Sequence, residues 1–224
     1  MQLSTVQNTS VFDKLMSGAW LEHPLLLENG MAVLKSNDFT CTICGFKSKP
    51  SIGLDNPHGW LIPGQMSHAG YLPVTKSSSK CYCPFCISSL AINWGVTSNI
   101  QNGRETAAPG MLISLSGISQ IQLNRLSVYI VSVLCSQRVG NSGGGVVAVA
   151  TAINSAMKSR QLNLQSDLPV YIEGQDSSFA RSLALLPEHL YESRSKVMHM
   201  VRWWPNYEYW LEQGNYWNKT SFSN

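Results

Sequence analysis

Apolar residues recur at helical spacing in four stretches of the chain, and one long interval has no such period. Pro24 opens the first stretch, where Leu25, Leu26, Met31 and Leu34 lead toward Asn37. A proline suits a first helical turn, whose N–H groups have no intrahelical partner. Gly30 weakens this helix, and Met1 to Gly18 ahead of it reads as a loose arm. From Phe39 to Pro109 turn formers dominate and the cysteines are the only organising residues, so the segment is expected to need a metal to fold. Gly110 to Leu115 alternates like a strand. Ser119 and Gln122 then form a capping box ahead of Leu123, Leu126, Ile130, Val133 and Leu134, with Arg138 suited to the helix dipole and Gly140 as its stop. A further helix, Val146 to Arg160, is spaced through Val149, Ala152, Ile153 and Met157. A polar linker near Gln161 to Pro169 leads to a last helical region around Ser177 to Leu185. The run Gly143-Gly144-Gly145 lacks the Gly-Lys-Ser/Thr ending of a P-loop and reads as a connector rather than a phosphate cradle.

Composition narrows this picture. Of 224 residues, 44% are hydrophobic and 13% charged, about half the charge usual in a soluble domain. Either a neutral surface rich in Ser, Asn and Gln covers the protein, or much of its surface is hidden in an assembly. A net charge of +3, scattered along the chain, excludes a phosphate-binding groove, so nucleic acid is not expected as a partner. The longest apolar stretch, Leu126 to Cys135, is broken by Ser127, Tyr129 and Ser132 and is well short of the roughly 20 residues a spanning helix needs, so no membrane insertion is expected. The polar start, Met1 to Phe12, has no signal-peptide pattern. A reducing cytoplasm is the expected location, where the sequons at Asn8 and Asn218 carry no glycan and six cysteines read as metal ligands before disulfides.

Two Cys-x-x-Cys knuckles carry the chemistry: Cys41-Thr42-Ile43-Cys44 and Cys83-Pro84-Phe85-Cys86, with 38 residues between them. Each knuckle puts two sulfurs on one side of a tight turn, and Gly45 eases the first of these turns. Two knuckles close a tetrahedron around one structural zinc ion, with no position left for water. A thiol pair for redox exchange is the alternative, but neither knuckle lies in a βαβ pattern. Cys81 stands two residues before Cys83 and is an alternative ligand to it, although the regular Cys83/Cys86 knuckle fits better. Cys135 falls on the apolar face of the capped helix and reads as a small buried hydrophobe.

The run Phe39 to Phe46, a long irregular region, and Cys-Pro-Phe-Cys entering a helix resemble the treble-clef or HNH-like zinc scaffold. The continuation is a strand, a capped helix with Gln122-Leu123-Asn124, a glycine-interrupted middle, and Leu185-Leu186-Pro187 before a tryptophan-bearing end. Over Pro24 to Leu211 this resembles the DotN (IcmJ) family. The resemblance implies a zinc-binding accessory subunit of the coupling-protein complex in Dot/Icm-type (IVB) secretion and conjugation systems. Such a subunit is a non-enzymatic adaptor that binds the C-terminal extension of a coupling ATPase, together with its accessory subunits. It is recruited from the cytoplasm to the inner membrane. Cys81 and the tail after Tyr209 depart from the family pattern.

The alternative is an HNH-like nuclease or nucleic-acid-binding zinc protein of plasmid transfer. That chemistry needs a His base and a cation site. His58 lies where a base would stand, but Ile87 occupies the position of the expected ligand histidine, and His68 reads as a loop residue. His58 then reads as a turn residue that hydrogen-bonds its loop. Seven aromatics from Trp203 to Trp217 are accompanied by few cations and opposed by Glu208 and Glu212, which argues against base stacking. Half of these rings are assigned to packing of a terminal helix, whereas Trp210 and Trp217 are expected to anchor a protein partner or a second copy of the chain. The expected architecture is α+β: an arm over 1–23, a zinc-stapled HNH-like region over 24–109, and a helical C-terminal region over 110–224 packed on it as one unit.

Overall fold

The computed structural model describes residues 3–6, 9–51, 53, 56–67, 70–72, 75–76, 79–98, 100–101, 104–137, 144–185 and 198–222. His68, Arg138, Gly140, Leu186 and Pro187 lie outside these residues. The fold is mixed α+β. Helix α1 (Thr9–Met16) and a 3-10 turn (Ala19–Leu21) precede α2 (Pro24–Ser36). The arm is not loose. Phe12 and Leu15 are buried, the Asn93 side chain exchanges two hydrogen bonds with the Val6 backbone at 3.0 and 2.7 Å, and the Trp94 indole donates to Asp13 at 3.2 Å. Its apolar residues pair with elements some 80 positions away, and no local pattern announces that. Gly30 sits where α2 crosses Trp20 and Pro63; a Cβ there would come within 2.6 Å of the Trp20 ring, so the glycine permits the crossing.

The turn-rich interval holds more regular structure than its composition predicts. Strands β1 (Ile62–Ser67), β2 (Gly70–Leu72) and β3 (Lys80–Tyr82) form an antiparallel sheet in the order β2-β1-β3. Helices α3 (Pro84–Leu90) and α4 (Ile92–Gly95) follow and are buried almost throughout. Elements buried on every side show no amphipathic period, which is why the sequence reads there as featureless. After a small β4–β5 pair (Ile100–Gln101, Arg104–Glu105), β6 (Gly110–Ser114) pairs antiparallel with β7 (Val201–Pro205), Leu112 opposite Trp203.

Helix α5 (Gln120–Gln137) begins at the predicted capping box: the Ser119 N–H donates to Gln122 Oε1 at 3.0 Å and the Gln122 N–H to Ser119 Oγ at 3.3 Å. It divides two apolar clusters, with Val128, Val131 and Cys135 in the larger and Leu123, Ile130, Val133 and Leu134 in the smaller. Helix α6 (Gly144–Ser159) matches its predicted span, and Ile153 and Met157 pack against the smaller cluster as predicted, but Ala150 and Asn154 are the buried positions while Val149 and Ala152 are exposed. Helices α7 (Leu164–Asp167) and α8 (Asp176–Ala184) flank β6, where Asp176 accepts the Leu112 N–H at 2.8 Å and the Tyr171 hydroxyl, satisfying the strand edge. Helix α9 (Leu211–Thr220) closes the fold against α5; a Cβ on Gly214 would approach Cys135 Sγ to 2.5 Å. No helix among the described residues is long and apolar enough to cross a membrane.

Candidate metal centre

The first knuckle is a tight turn. Cys41 donates its N–H to the Phe46 carbonyl at 2.8 Å, and Gly45 returns its own to Cys41 at 2.9 Å. Gly45 has φ 73° in open space, so conformation rather than crowding calls for glycine there. The Thr42 N–H and hydroxyl both donate to the Cys81 carbonyl, at 2.9 and 3.0 Å, which ties the knuckle to β3. The second knuckle is the first turn of α3. Cys83 is its N-cap, Sγ accepts the Cys86 N–H at 3.4 Å, and Pro84 follows in the first turn.

These two turns bring the buried sulfurs of Cys41, Cys44, Cys83 and Cys86 within 4.8 Å of one another, and those of Cys44 and Cys83 to 3.7 Å. Metal–thiolate bonds of about 2.3 Å in a tetrahedron give an edge of about 3.8 Å, and a disulfide requires about 2.05 Å. The spacing is that of ligands around one metal ion. Cys81 is buried but its sulfur is not in this set; it serves the knuckle through its carbonyl, and burial pushes its thiol up. Hydrogen bonds from Cys44, Cys83 and Cys86 hold the Cys41 thiol far below its usual value. Burial raises Cys83, and the hydrogen bond with Cys41 raises Cys86. A divalent cation bound here would favour the thiolate form of its ligands.

Asn124 is a supporting residue that sequence reading missed. Its side-chain amide donates to Cys86 Sγ at 3.4 Å and to Ser89 Oγ at 2.9 Å, and its Oδ1 accepts from Gln120 at 2.7 Å. Gln120 in turn brackets the Trp203 backbone, accepting its N–H and donating to its carbonyl, both at 2.9 Å. A donor on a ligand sulfur delocalises thiolate charge and orients the ligand. The one trace in the sequence is a pair of amides four residues apart on α5, and so on one face of it.

Trp210 and Trp217, expected as partner anchors, are 1% and 0% exposed and lie inside the chain. Trp203 and Trp204 are also buried, on β7 rather than a terminal helix; as successive strand residues they enter the two different clusters. Phe85, between the cysteines of the second knuckle, has ring centroids of Trp203, Trp210 and Trp217 at 5.9, 5.2 and 5.6 Å, and Phe46 meets Trp217 at 5.3 Å. All four indole N–H groups are satisfied, by Gly95, Asn154, Pro109 and Gly59 in sequence order. The aromatic end is therefore the lock over the knuckles.

His58 accepts the Leu61 N–H through its carbonyl at 3.0 Å, as a turn residue does, yet its Nδ1 is buried with no partner. Ile87 is fully buried in the core. The chain matches no protein-family model and no curated protein.

Proposed function

We propose that this chain is a non-enzymatic adaptor stapled by one structural zinc ion on Cys41, Cys44, Cys83 and Cys86. The order of knuckle, hairpin and cysteine-capped helix supports a treble-clef or HNH-like scaffold. A complete set of four thiolates suits structural rather than catalytic zinc, and its binding contributes on the order of 10 kcal/mol to folding. The resemblance to the DotN (IcmJ) family supplies the partner: the C-terminal extension of a coupling ATPase in a IVB secretion or conjugation complex, met in the cytoplasm at the inner membrane.

One observation carries the adaptor reading. Of nine exposed large apolar side chains among the described residues, six fall between the start of α6 and the residue after α8: Val146, Val149, Leu162, Val170, Ile172 and Leu185. Of these, Val170 and Ile172 line one open pocket with Phe179 and Leu183; exposed apolar surface of this kind suits an interaction face, and with the tail tryptophans inside the core it replaces them as the docking surface. Calorimetric titration of the ATPase extension tests this. The zinc-loaded protein binds it, and Val149→Lys with Val170→Lys weakens binding about tenfold or more at unchanged circular dichroism. Undiminished affinity in that variant moves the interface elsewhere, and no binding by the wild type ends the adaptor reading.

A further inference from the structure

The two knuckles are held in different ways. Cys83 and Cys86 are fully buried and belong to the first turn of α3, itself buried almost throughout. Cys41 and Cys44 instead sit in a hairpin at the surface, where Thr42 and Gly45 are exposed and Cys44, at 5%, is the most open of the four cysteines. The hairpin is closed at its base by the Thr40–Lys47 pairing and by the Ser48 N–H, which donates to the Phe39 carbonyl at 3.0 Å. Surface turns of this kind open locally at far lower cost than a whole domain unfolds. Loss of an ion from the four sulfurs therefore begins with the first knuckle lifting away, while the second stays in the core.

Thr42 resists that movement from the β3 side, through its bonds to the Cys81 carbonyl. On the other side the end of α9 grips the chain that leaves the knuckle. The Tyr216 hydroxyl donates to the Lys49 carbonyl at 2.6 Å and the Lys49 N–H donates to Ser221 Oγ at 3.1 Å, so both backbone groups of Lys49 are held from there. Phe222 lays its ring on Phe46, with centroids 5.9 Å apart and planes 22° from parallel, and Tyr129 of α5 meets the same Phe222 ring edge to face at 5.4 Å. Phe46 thus packs against both Phe222 and Trp217, and its carbonyl accepts the Cys41 N–H. Phe222 is 36% exposed and contributes little to the core. A ring left at the surface against the segment that must move is placed to oppose local opening rather than global unfolding.

We propose, resting on the reading of the four cysteines as a zinc site, that Ser221 and Phe222 form a clasp on the first knuckle that sets how fast the metal leaves. They are positioning residues, acting on the knuckle through Lys49 and Phe46. One hydrogen bond and one ring pair together shift such an opening by roughly tenfold or more. The adaptor's partner plays no part in this.

Transfer of zinc from the whole zinc-loaded chain to excess pyridylazoresorcinol, followed by colour at chelator concentrations where the rate no longer depends on chelator, tests it after metal analysis of the purified protein. Ser221→Ala combined with Phe222→Ala should release zinc about tenfold faster than wild type at an unchanged midpoint of denaturant unfolding, with faster hydrogen exchange at the Gly45 and Ser48 amides. Phe222→Tyr keeps the ring and should release zinc at the wild-type rate, as should Val149→Ser on the distant α6. If the double variant fails to fold, Ser221→Ala alone carries the test, with release about threefold faster or more. Wild-type release rates in the folded double variant overturn the proposal, and so does an acceleration no greater than that of its global unfolding. A purified chain without zinc fails at the earlier step: it overturns the zinc reading and the clasp with it, whereas zinc that is present and leaves at an unchanged rate overturns the clasp alone.

Discussion

Around the four cysteines, side chains from distant parts of the sequence close over one another. Phe46 and Phe85 carry the knuckles into a ring cluster completed by Trp203, Trp210 and Trp217, and Asn124 reaches a ligand sulfur from α5. Along α6 to α8 the pattern is reversed. Val149 and Ile172 stand in solvent, while the groups turned inward include polar ones: Asn154, which accepts the Trp204 indole N–H at 3.0 Å, and Asp176, which caps the edge of β6. Apolar content does not separate these regions. The number of elements that converge does, because α3 is covered by strands and helices on every side, whereas α6 is a single outer layer against α5. The first region is built for stability, and the second leaves apolar surface available.

That contrast predicts a graded set of effects. Cys44→Ser removes a ligand from the centre and should cost most of the ~10 kcal/mol that metal supplies. Metal analysis is expected to give about one zinc per wild-type chain and insoluble or molten protein for the variant; a metal-free wild type or a normally stable variant breaks the contrast at its root. Trp217→Ala opens a cavity beneath both knuckle phenylalanines, and denaturant unfolding should show a loss of about 3–5 kcal/mol.

Acid should sharpen the difference at the arm. The His58 pKa is lowered from 6.5 to about 4 by burial, so the folded state binds fewer protons than the unfolded state in that window. Its contribution is complete above pH 6.5 and is lost as pH falls toward 4, by at most about 3 kcal/mol. Thiolate protonation and metal loss act in the same direction. The difference between wild type and His58→Leu isolates the histidine, since the variant should lose less stability over this range. The smallest effect belongs to the flank: Val149→Ser should change stability by no more than about 0.5 kcal/mol, and a larger loss would show α6 to be core after all.

The two Cys-x-x-Cys knuckles, the capping box of α5, the proline start of α2 and the glycine of the first knuckle were all legible in the sequence. Each is decided by residues within about four positions of one another, where backbone geometry leaves few choices. The span of α6 was equally plain, but its buried face was legible only in part, since Ile153 and Met157 pack inward and Val149 does not. Its valines and alanines allow more than one apolar stripe, and contact with α5 and β7 selects the one through Ala150 and Asn154.

What the chain specified alone was thus a set of four cysteines that could hold a metal ion and the places where helices begin. The fold decided which way the tryptophans point. A cluster of Trp and Tyr reads the same whether it faces a partner or the chain's own core, and what distinguishes the cases is a partner far away in sequence. Gly59 meets Trp217 across 158 residues and Asn124 meets Cys86 across 38, through hydrogen bonds that leave no local periodicity. Such pairings are selected by shape and by the cost of leaving an indole N–H or a thiolate unpaired in a dry interior. Only the assembled structure settles that cost.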